Sequence, residues 1–437
     1  MVSLVTVLLL IVLIAAGVPV FVALCIAAIA ALVQLEGWHA IEQIADITYS
    51  RLDTYAFVAI PLFTLMAQVL MHTGAVEDLY RIASRLAQKA RMGVGAATIL
   101  IASLFSAISG SSVATAATLS TTSVPEMLKR GYPRTAAFGM AAASGTLGIL
   151  IPPSIALIVY GIIAETSITA LFIAAIVPAI ILILMFIVYD YSLYARRIAG
   201  VPEQANAEVA AVIDTAEEVI DRATSYRAAV LLAVPLAIMV GLYGGVFTPS
   251  EAGAVGAVAA VLVGVMIRRI PSFGAMMSAG ITSARTSGMV FAIVAGAALF
   301  GHVLVLTEAP AALLASIDAL EIGRTGFMLL LMIAIFVLGM FLEGASITLV
   351  TTPLIIPALD YFGIDRVWYG VLLVINLEMS LISPPVGLNL MVLKGVTDAS
   401  YLEVVRGSLP YIAIMALCLL LLIFFPSLAT FLPATMK

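Results

Sequence analysis

Two sets of small and helix-breaking residues occupy corresponding places in the two halves of this chain. The first is the Ser-Gly-Ser-Ser run at 109–112 with Pro152-Pro153, and the second is Glu-Gly-Ala-Ser at 343–346 with Pro384-Pro385. Gly110 and Gly344 are 234 positions apart, and Pro152 and Pro384 are 232 apart. These similar offsets indicate an internal duplication, which further pairs support: Arg91 and Arg324, Gly93 and Gly326, Ser112 and Ser346, Thr118 and Thr352, Gly131 and Gly363.

Each glycine–serine run is flanked by apolar stretches too short to cross a membrane. Around the first run they are 93–108 and 113–124, against about 20 residues for a full span. We therefore predict two re-entrant hairpins with tips at mid-depth, where glycine ends one helix and serine caps the next. We expect Gly110 and Gly344 to permit close backbone approach, so that leucine at either position abolishes transport.

A tip of this kind brings helix ends of opposite partial charge together. Outgoing carbonyls carry partial negative charge and incoming N–H groups carry partial positive charge. The tips are therefore suited to hold a small cation beside an anion. Neither tip contains lysine or arginine, so an anion would be held by helix N-termini, the bound cation and these hydroxyls: Ser111, Ser112, Ser346 and Thr348.

The double prolines predict two broken helices. In 145–154 the glycines loosen a helix, and the prolines remove two backbone donors and leave carbonyls unpaired. In the second break we expect Ser383 to cap a helix that restarts at 386–394 with proline in its first turn. Unpaired carbonyls are ligands for hard cations. A packing kink is the alternative for either double proline alone.

Ionisable residues inside apolar stretches are functional candidates. Glu343 adjoins the second tip, Glu378 precedes the second double proline and Lys394 follows it; structural pairing is the alternative for each. Arg285 and His302 lie near opposite ends of a predicted span at 281–306, where we expect them to reach the membrane interface.

The composition places the chain in a bilayer. Hydrophobic residues make up 63% and charged residues 10%, against roughly 45–50% and about 25% in soluble domains. The first basic residue is Arg51, so the opening apolar run is predicted to be a retained membrane helix rather than a signal peptide. Cys25 and Cys418 lie in apolar runs and indicate neither a disulfide nor a metal framework.

Basic residues predict that the two hairpins enter from opposite sides. Lysines and arginines surround the first hairpin, whereas acidic residues dilute those around the second, so the first tip should enter from the cytoplasm and the second from outside. The same rule places the polar linker at 196–227 in the cytoplasm. The segment 77–91 has one apolar and one basic face, which favours an arm along the membrane surface, with an ordinary loop helix as the alternative.

The ordered motifs resemble the large membrane subunit of tripartite ATP-independent periplasmic (TRAP) transporters over nearly the whole chain. The resemblance rests on Ser-Gly-Ser-Ser-Val-Ala, Gly-Thr-Leu-Gly-Ile-Leu-Ile-Pro-Pro-Ser and Ser-Pro-Pro-Val-Gly-Leu-Asn. It implies sodium-driven uptake of a small organic acid, such as a C4-dicarboxylate or sugar acid, by an elevator mechanism in the bacterial inner membrane. It also implies a separate small four-helix membrane subunit and a periplasmic binding protein as partners. For the chain itself it implies no enzymatic activity, no cofactor other than coupling sodium ions, and no nucleic-acid partner.

The predicted organisation is an all-α inverted repeat with a scaffold and a transport domain. Its parts are a first repeat at 1–195 (arm 77–91, hairpin 93–124, broken helix 135–164, helix 168–195), the linker 196–227, and a second half at 228–437 (hairpin 325–358, broken helix 369–394, final helix 408–432). The resemblance implies sodium sites at Ser109, Gly110, Ser111, Ser112, Gly145, Gly148, Pro152, Gly344, Ser346, Thr348, Ser383 and Pro384. The substrate contacts that it implies are Ser112, Ser154, Ser346, Thr348 and Asn389, with helix packing as the alternative for Asn389.

Two other functions compete with this interpretation. A stand-alone sodium/anion symporter of the same broad fold would need no binding protein. An intramembrane hydrolase would use a serine of 109–112 as nucleophile, but the three histidines, His39, His72 and His302, are not predicted near the tip, and no His-Glu-x-x-His motif is present.

Overall fold

The computed structural model describes residues 2–74, 78, 82, 93–198, 222–267, 269, 272–319 and 321–435. Within these ranges every regular element is helical, and one 3₁₀ turn lies at Tyr55–Val58. The α-helices are α1 (Val2–Ala15), α2 (Val20–Glu36), α3 (Ala40–Leu52), α4 (Ala59–His72), α5 (Gly93–Ser109), α6 (Ser112–Lys129), α7 (Arg134–Leu150), α8 (Ile155–Ile163), α9 (Ile168–Ile198), α10 (Arg222–Tyr243), α11 (Pro249–Met266), α12 (Phe273–Leu306), α13 (Ala309–Ala319), α14 (Arg324–Gly339), α15 (Gly344–Tyr361), α16 (Arg366–Leu381), α17 (Leu388–Val396), α18 (Tyr401–Phe424) and α19 (Ser427–Ala434).

Two predicted segments lie largely outside the described residues. They are the surface arm at 77–91, apart from residues 78 and 82, and positions 199–221 of the linker at 196–227. The two ends of the predicted linker are helical, since α9 continues to Ile198 and α10 begins at Arg222.

Six helices in the described ranges are long and apolar enough to cross a membrane, and the bent pair α7–α8, with a 43° angle, makes a seventh candidate. The predicted all-helical polytopic membrane fold is therefore confirmed. The predicted span at 281–306 is longer than expected, because α12 begins at Phe273 and has 34 residues.

Polar residues at the helix starts explain several of the observed boundaries. Asp365 accepts a hydrogen bond from the backbone N–H of Trp368 at 2.7 Å and begins α16. Capping boxes begin α11 at Thr248 and α18 at Ser400, each with glutamate three residues later. Such caps satisfy N–H groups that have no partner inside the helix.

The order of elements repeats across the chain. The five helices α5 to α9 return in the same order as α14 to α18. In each half a pair of hairpin helices precedes a helix that ends just before a double proline, a nine-residue helix follows the break, and a long helix comes next. Both double prolines have a cis peptide bond between the two prolines.

Contacts at the helix ends show that the two broken helices run in opposite directions. Arg366, the first residue of α16, donates from Nη1 to the carbonyl of Ala164, just past the end of α8, at 3.0 Å. Arg134, the first residue of α7, pairs through Nη2 with Oδ1 of Asp398, just past the end of α17, at 3.1 Å. Hydrogen bonding to Arg134 lowers the pKa of Asp398 below its usual range. Each broken helix therefore begins where the other ends.

The helix that follows the break in each half packs on the hairpin of the other half. Helix α17 packs on α6 of the first hairpin, and α8 packs on α15 of the second hairpin. A second group of helices, α2, α4, α11 and α12, packs together and meets the hairpins through α4 against α5 and α12 against α15. In this group the hydroxyls of Thr64 and Ser283 are 2.7 Å apart, and Ser283 also donates to the carbonyl of Pro61 at 2.8 Å. The second group therefore packs against both hairpins and, through α4, also touches α8 of the first broken helix.

Candidate functional site

The first tip is a two-residue break between α5 and α6. Gly110 has a left-handed φ of 58°, and Ser111 accepts a hydrogen bond from the N–H of Ala114 at 3.3 Å and so caps α6. Behind the tip, the hydroxyls of Ser109 and Thr115 are 3.0 Å apart. The positive φ explains glycine at this position, because a side chain would be strained there.

The first tip rests directly on the first broken helix. A Cβ atom on Gly148 would lie 2.8 Å from the carbonyl carbon of Ser111 and 2.9 Å from the nitrogen of Ser112, and one on Gly145 would lie 2.9 Å from the Cα of Ala116. Gly145 and Gly148 are helical residues of α7. The expectation that these glycines loosen the helix is therefore wrong, because they instead allow the two backbones to touch.

The first break connects this contact to the double proline. Because Pro152 and Pro153 have no N–H, the carbonyls four residues earlier, on Gly148 and Ile149, have no helical donor. Ser154 is fully buried, and its hydroxyl accepts from the N–H of Leu157 at 3.4 Å to start α8. The carbonyl of Pro153 faces the tip, 3.0 Å from where a Cβ of Gly110 would be.

Asn389 of the second half lies against the first tip. Its side-chain nitrogen donates to the hydroxyl of Ser112 at 2.7 Å and to the carbonyl of Ala142 at 3.2 Å. Its side-chain oxygen is buried, and no hydrogen-bond partner for it exists among the described residues. The structure thus joins two residues, Ser112 and Asn389, that are 277 positions apart in the sequence.

The second tip has a different geometry. Helix α14 ends at Gly339 and α15 begins at Gly344, so Gly344 is the first residue of a helix rather than part of a turn. A Cβ on Gly344 would make ordinary contact with Leu377 at 3.4 Å. Close backbone approach therefore does not explain this glycine, which differs from the expectation for the duplicated pair.

The hydroxyls of the second tip differ in their partners. Thr348 donates to the carbonyl of Gly344 at 2.9 Å. Ser346 is fully buried, and among the described residues its hydroxyl has no partner. The duplication explains this, because the offset of 232 between the double prolines makes Leu157 of α8 the counterpart of Asn389 in α17, and Leu157 has no polar side chain.

The second break restarts its helix without a serine cap. The hydroxyl of Ser383 donates back to the carbonyl of Met379 at 2.8 Å, within the turn that ends α16. Gly387 instead precedes α17, with a left-handed φ of 55°. The prediction that Ser383 caps a helix from residue 386 is therefore wrong. Pro384 and Pro385 lie between these residues, and the carbonyl of Pro385 accepts from the hydroxyl of Tyr401 at 2.7 Å.

The second tip and the second break enclose a cavity of about 290 Å³. Its walls are residues 339–343 of the tip and residues 386–388 of the break. Glu343 lines this cavity, and its side chain makes no capping bond to α15. The first tip and break instead meet α4 in a narrow crevice beside Phe63, Thr64 and Ala67.

Glu378 is the most deeply buried charged residue near the breaks. It is fully buried in α16, the backbone N–H of Leu150 points towards its carboxylate, and neither oxygen reaches a hydrogen-bond partner among the described residues. The alternative of structural pairing therefore finds no partner for Glu378 in the part of the chain that the structure describes. Lys394 is exposed in the last turn of α17.

The sequence analysis missed the carboxylate that positions the first hairpin. Asp190 of α9 is fully buried and accepts from the hydroxyl of Tyr132 at 3.5 Å, and the same hydroxyl accepts from the backbone N–H of Gly95 at 3.2 Å. Its carboxylate lies against Gly95, where a Cβ would not fit. Through Tyr132 it therefore acts as a cap from another helix at the start of α5. The signal was a lone aspartate directly after the apolar run that ends at Tyr189.

The donor atoms at both half-sites suit a hard monovalent cation. They are hydroxyl, carbonyl, amide and carboxylate oxygens, which hard cations prefer. The buried side-chain oxygens of Ser346, Asn389 and Glu378 have no hydrogen-bond partner among the described residues. Such atoms are usually satisfied by a bound ion or a water molecule. No group of three His, Cys, Asp or Glu side chains able to hold a metal occurs within the described residues.

This fold and site define a polytopic membrane transport protein with two helical hairpins and two helices broken at double prolines. The family model described as "Tripartite ATP-independent periplasmic transporter, DctM component" matches residues 7–428, and the chain belongs to this family. The resemblance seen in its motifs is confirmed.

Curated relatives agree with this membership. The chain is 30% identical over 416 residues to the isethionate TRAP transporter permease protein DctMQ of Oleidesulfovibrio alaskensis, which covers 95% of this chain and 64% of that longer protein. It is 32% identical to the C4-dicarboxylate TRAP transporter large permease protein DctM of Pseudomonas aeruginosa, over 90% of each chain. It is 31% identical to the ectoine TRAP transporter large permease protein TeaC of Halomonas elongata, over 86% of each. These relatives are transporter subunits, which supports a role other than that of an enzyme.

Solved structures share the fold at low sequence identity. The YdaH transporter of Alcanivorax borkumensis aligns over 97% of both chains with a TM-score of 0.61 and 15% identity. MtrF of Neisseria gonorrhoeae aligns over 92% of this chain and 86% of its own, with a TM-score of 0.57 and 14% identity. At these identities the likeness concerns the fold alone.

Proposed function

We propose that this chain is the large permease subunit of a sodium-driven TRAP transporter that takes up a small organic acid across the bacterial inner membrane. The observation that carries the proposal is the contact between the halves, in which Asn389 from the second break donates to Ser112 at the first tip. This contact ties one tip to the opposite broken helix. A cation held by tip and break oxygens would therefore stabilise the arrangement that presents the tips to an anion.

An inverted repeat is part of the proposal. It is supported by the opposite directions of the two broken helices, through Arg366 with Ala164 and Arg134 with Asp398. The starts of the two hairpins also support it. Helix α5 starts beside Tyr132, near the start of α7. Helix α14 starts with Arg324, which stacks over Trp368 near the start of α16. The tips then enter the membrane from opposite faces.

We propose that α5 to α9 with α14 to α18 move as a transport domain against a scaffold that includes α2, α4, α11 and α12. The crevice beside α4 and the cleft between α12 and α15 lie along this boundary. Transport would then be a sliding motion at a boundary with few polar contacts, which is the elevator mechanism that the family resemblance implies.

The substrates of the relatives named above suggest the class of cargo, because C4-dicarboxylates, isethionate and ectoine all carry an acidic group. We propose a separate small membrane subunit and a periplasmic binding protein as partners. The binding protein would select the substrate and deliver it to the outer face.

Uptake by proteoliposomes tests this proposal. The chain is reconstituted with its small subunit, and uptake of radiolabelled succinate, isethionate and ectoine is measured with and without the binding protein, under a sodium or a potassium gradient. We expect uptake of one acid that requires both sodium and the binding protein. Equal uptake of free substrate without the binding protein would support the stand-alone symporter instead, and equal uptake in potassium would refute sodium coupling.

A further inference from the structure

A further cavity lies away from the tips, between the two groups of helices. Its volume is about 380 Å³, within the range of roughly 300–1,000 Å³ of small-molecule sites. Its walls come from α3 and α12 on one side, and from α8 and α15, which follow the first break and the second tip, on the other. A ligand in this cavity would therefore touch both groups.

The charged residue that lines this cavity is an arginine. Arg51 lines it together with Ser50 and His302, and its remaining lining residues are apolar. The nearest acid in contact with Arg51 is Glu165, at 3.8 Å, and the two side chains are 43% and 76% exposed. An exposed pair at this distance is weak and leaves most guanidinium donors available. The cavity therefore offers an arginine to a small anion, which neither tip provides.

The arginine recurs in the duplication. Ile47-Thr48-Tyr49-Ser50-Arg51 corresponds to Ile281-Thr282-Ser283-Ala284-Arg285, again at an offset of 234. This is the offset that relates Gly110 to Gly344. Arg51 and Arg285 are therefore equivalent residues of the two halves, on α3 and α12.

Arg285 lies within the long helix α12 rather than at one of its ends. It is 12 residues into α12, which is about 18 Å along a helix of about 51 Å. Its side chain is exposed, and within the described residues no hydrogen bond or ion pair reaches it. An arginine without a partner in a helix long and apolar enough to cross the membrane is a functional candidate.

We propose that Arg51 and Arg285 attract the anionic substrate at opposite ends of its path, and that the 380 Å³ cavity beside Arg51 is the place where a small carboxylate or sulfonate binds before it reaches the tips. The inference rests on the proposed function and topology, which place the cavity at the periplasmic side and Arg285 nearer the cytoplasm. Because α12 belongs to the proposed scaffold and α3 packs on α12, both arginines stay in place when the tips move. Each therefore raises the local anion concentration at one face without binding the substrate throughout transport.

Charge-selective labelling tests this independently of the true substrate. In a background with Cys25 and Cys418 replaced by alanine, Ala298→Cys places a thiol in the cavity wall. The rate of modification is measured with anionic 2-sulfonatoethyl methanethiosulfonate and with its cationic trimethylammonium analogue. We expect Arg51→Gln to lower the anionic-to-cationic rate ratio about tenfold or more, and 1 M salt to reduce the ratio of the parent protein.

Two controls separate a local effect from a general one. Arg324→Gln removes the same charge from a helix outside the cavity and should change the ratio by less than about twofold, because Arg324 does not line the cavity. Glu165→Gln should preserve or raise the ratio, because it removes only the acid beside Arg51. An unchanged ratio in Arg51→Gln, an equal fall in Arg324→Gln, or a fall in Glu165→Gln would each overturn the proposal.

Arg285 is tested in the same way with Gly288→Cys, one turn along α12, where a Cβ would have open space around it. With reagents on the cytoplasmic side, Arg285→Gln should lower the ratio by a similar factor. Loss of labelling when the small subunit is added would mean that this arginine faces a protein partner, and would overturn its assigned role. If the parent protein fails to transport succinate, isethionate and ectoine, the proposed function fails while the labelling ratios still report on the arginines.

Discussion

Alanine should impair sodium activation at Gly110 but not at Gly344, although the duplication makes the two tip glycines equivalent. Gly110 has a φ of 58°, and its Cβ would lie 3.0 Å from the carbonyl oxygen of Pro153. Gly344 begins α15, and its Cβ would make an ordinary contact with Leu377 at 3.4 Å. We therefore compare Gly110→Ala with Gly344→Ala.

The expected size follows from the backbone conformations. A left-handed alanine costs about 1–2 kcal/mol, and displacing the Pro153 carbonyl adds to this cost. If this strain destabilises the sodium-binding conformation of the first tip by about 1.4–2 kcal/mol, the apparent sodium affinity falls by about 10- to 30-fold. Gly344→Ala incurs no such strain and gains helix propensity of up to about 1 kcal/mol. Its sodium activation curve should therefore match that of the wild type.

The assay is sodium-dependent uptake in proteoliposomes, with thermal denaturation in detergent as the check on folding. We expect the sodium activation midpoint to rise only in Gly110→Ala. An equal rise of the midpoint in Gly344→Ala would refute this reasoning. It would mean that the open space around Gly344 does not make alanine acceptable at the second tip.

Three further predictions follow from contacts at the tips and at the helix ends. Ser112→Ala and Asn389→Leu should each lower the thermal stability, and a double-mutant cycle should give a coupling of about 1 kcal/mol; additive effects would argue against the observed bond. Gly148→Ala should impair transport strongly, because the backbone of the first tip leaves no room for a Cβ atom; wild-type uptake would contradict this. Asp78→Asn should lower the free energy of unfolding by about 3 kcal/mol, because Asp78 is buried and pairs with Arg227 and Arg269. In the same denaturation assay, Arg269→Gln should lower it less.

The breaks could be predicted from the sequence because they depend on local chemistry. A single proline is tolerated inside a helix, as Pro353 is in α15, but two successive prolines remove two donors within one turn, so Pro152-Pro153 and Pro384-Pro385 predict a break from local chemistry. Glycine with serine similarly indicates a helix end followed by a helix start, which is what Gly110 and Ser111 form. These features need no knowledge of the neighbouring helices.

The partners of these residues could not be predicted, because they are set by tertiary packing. Nothing in the sequence indicates that Asn389 reaches Ser112, or that Gly148 accommodates the backbone of the tip rather than loosening its own helix. Ser383 was expected to cap by its position before a proline, but its hydroxyl is used by the turn that precedes it. A serine next to a break has two possible backbone partners, and only the geometry selects one.

The two half-sites have diverged in a way that bears on their roles. At the first tip every serine of the break has a hydrogen bond: Ser109 with Thr115, Ser111 with Ala114, and Ser112 with Asn389. At the second, the hydroxyl of Ser346 and the carboxylate of Glu378 are buried without partners among the described residues. A buried polar group without a partner costs about 1–3 kcal/mol, and more if charged. The first half-site carries such a cost too, because the amide oxygen of Asn389 beside Ser112 is buried without a partner among the described residues. On the proposed function, a bound ion relieves the cost at both half-sites, through a neutral amide oxygen at the first and through a hydroxyl and a carboxylate at the second.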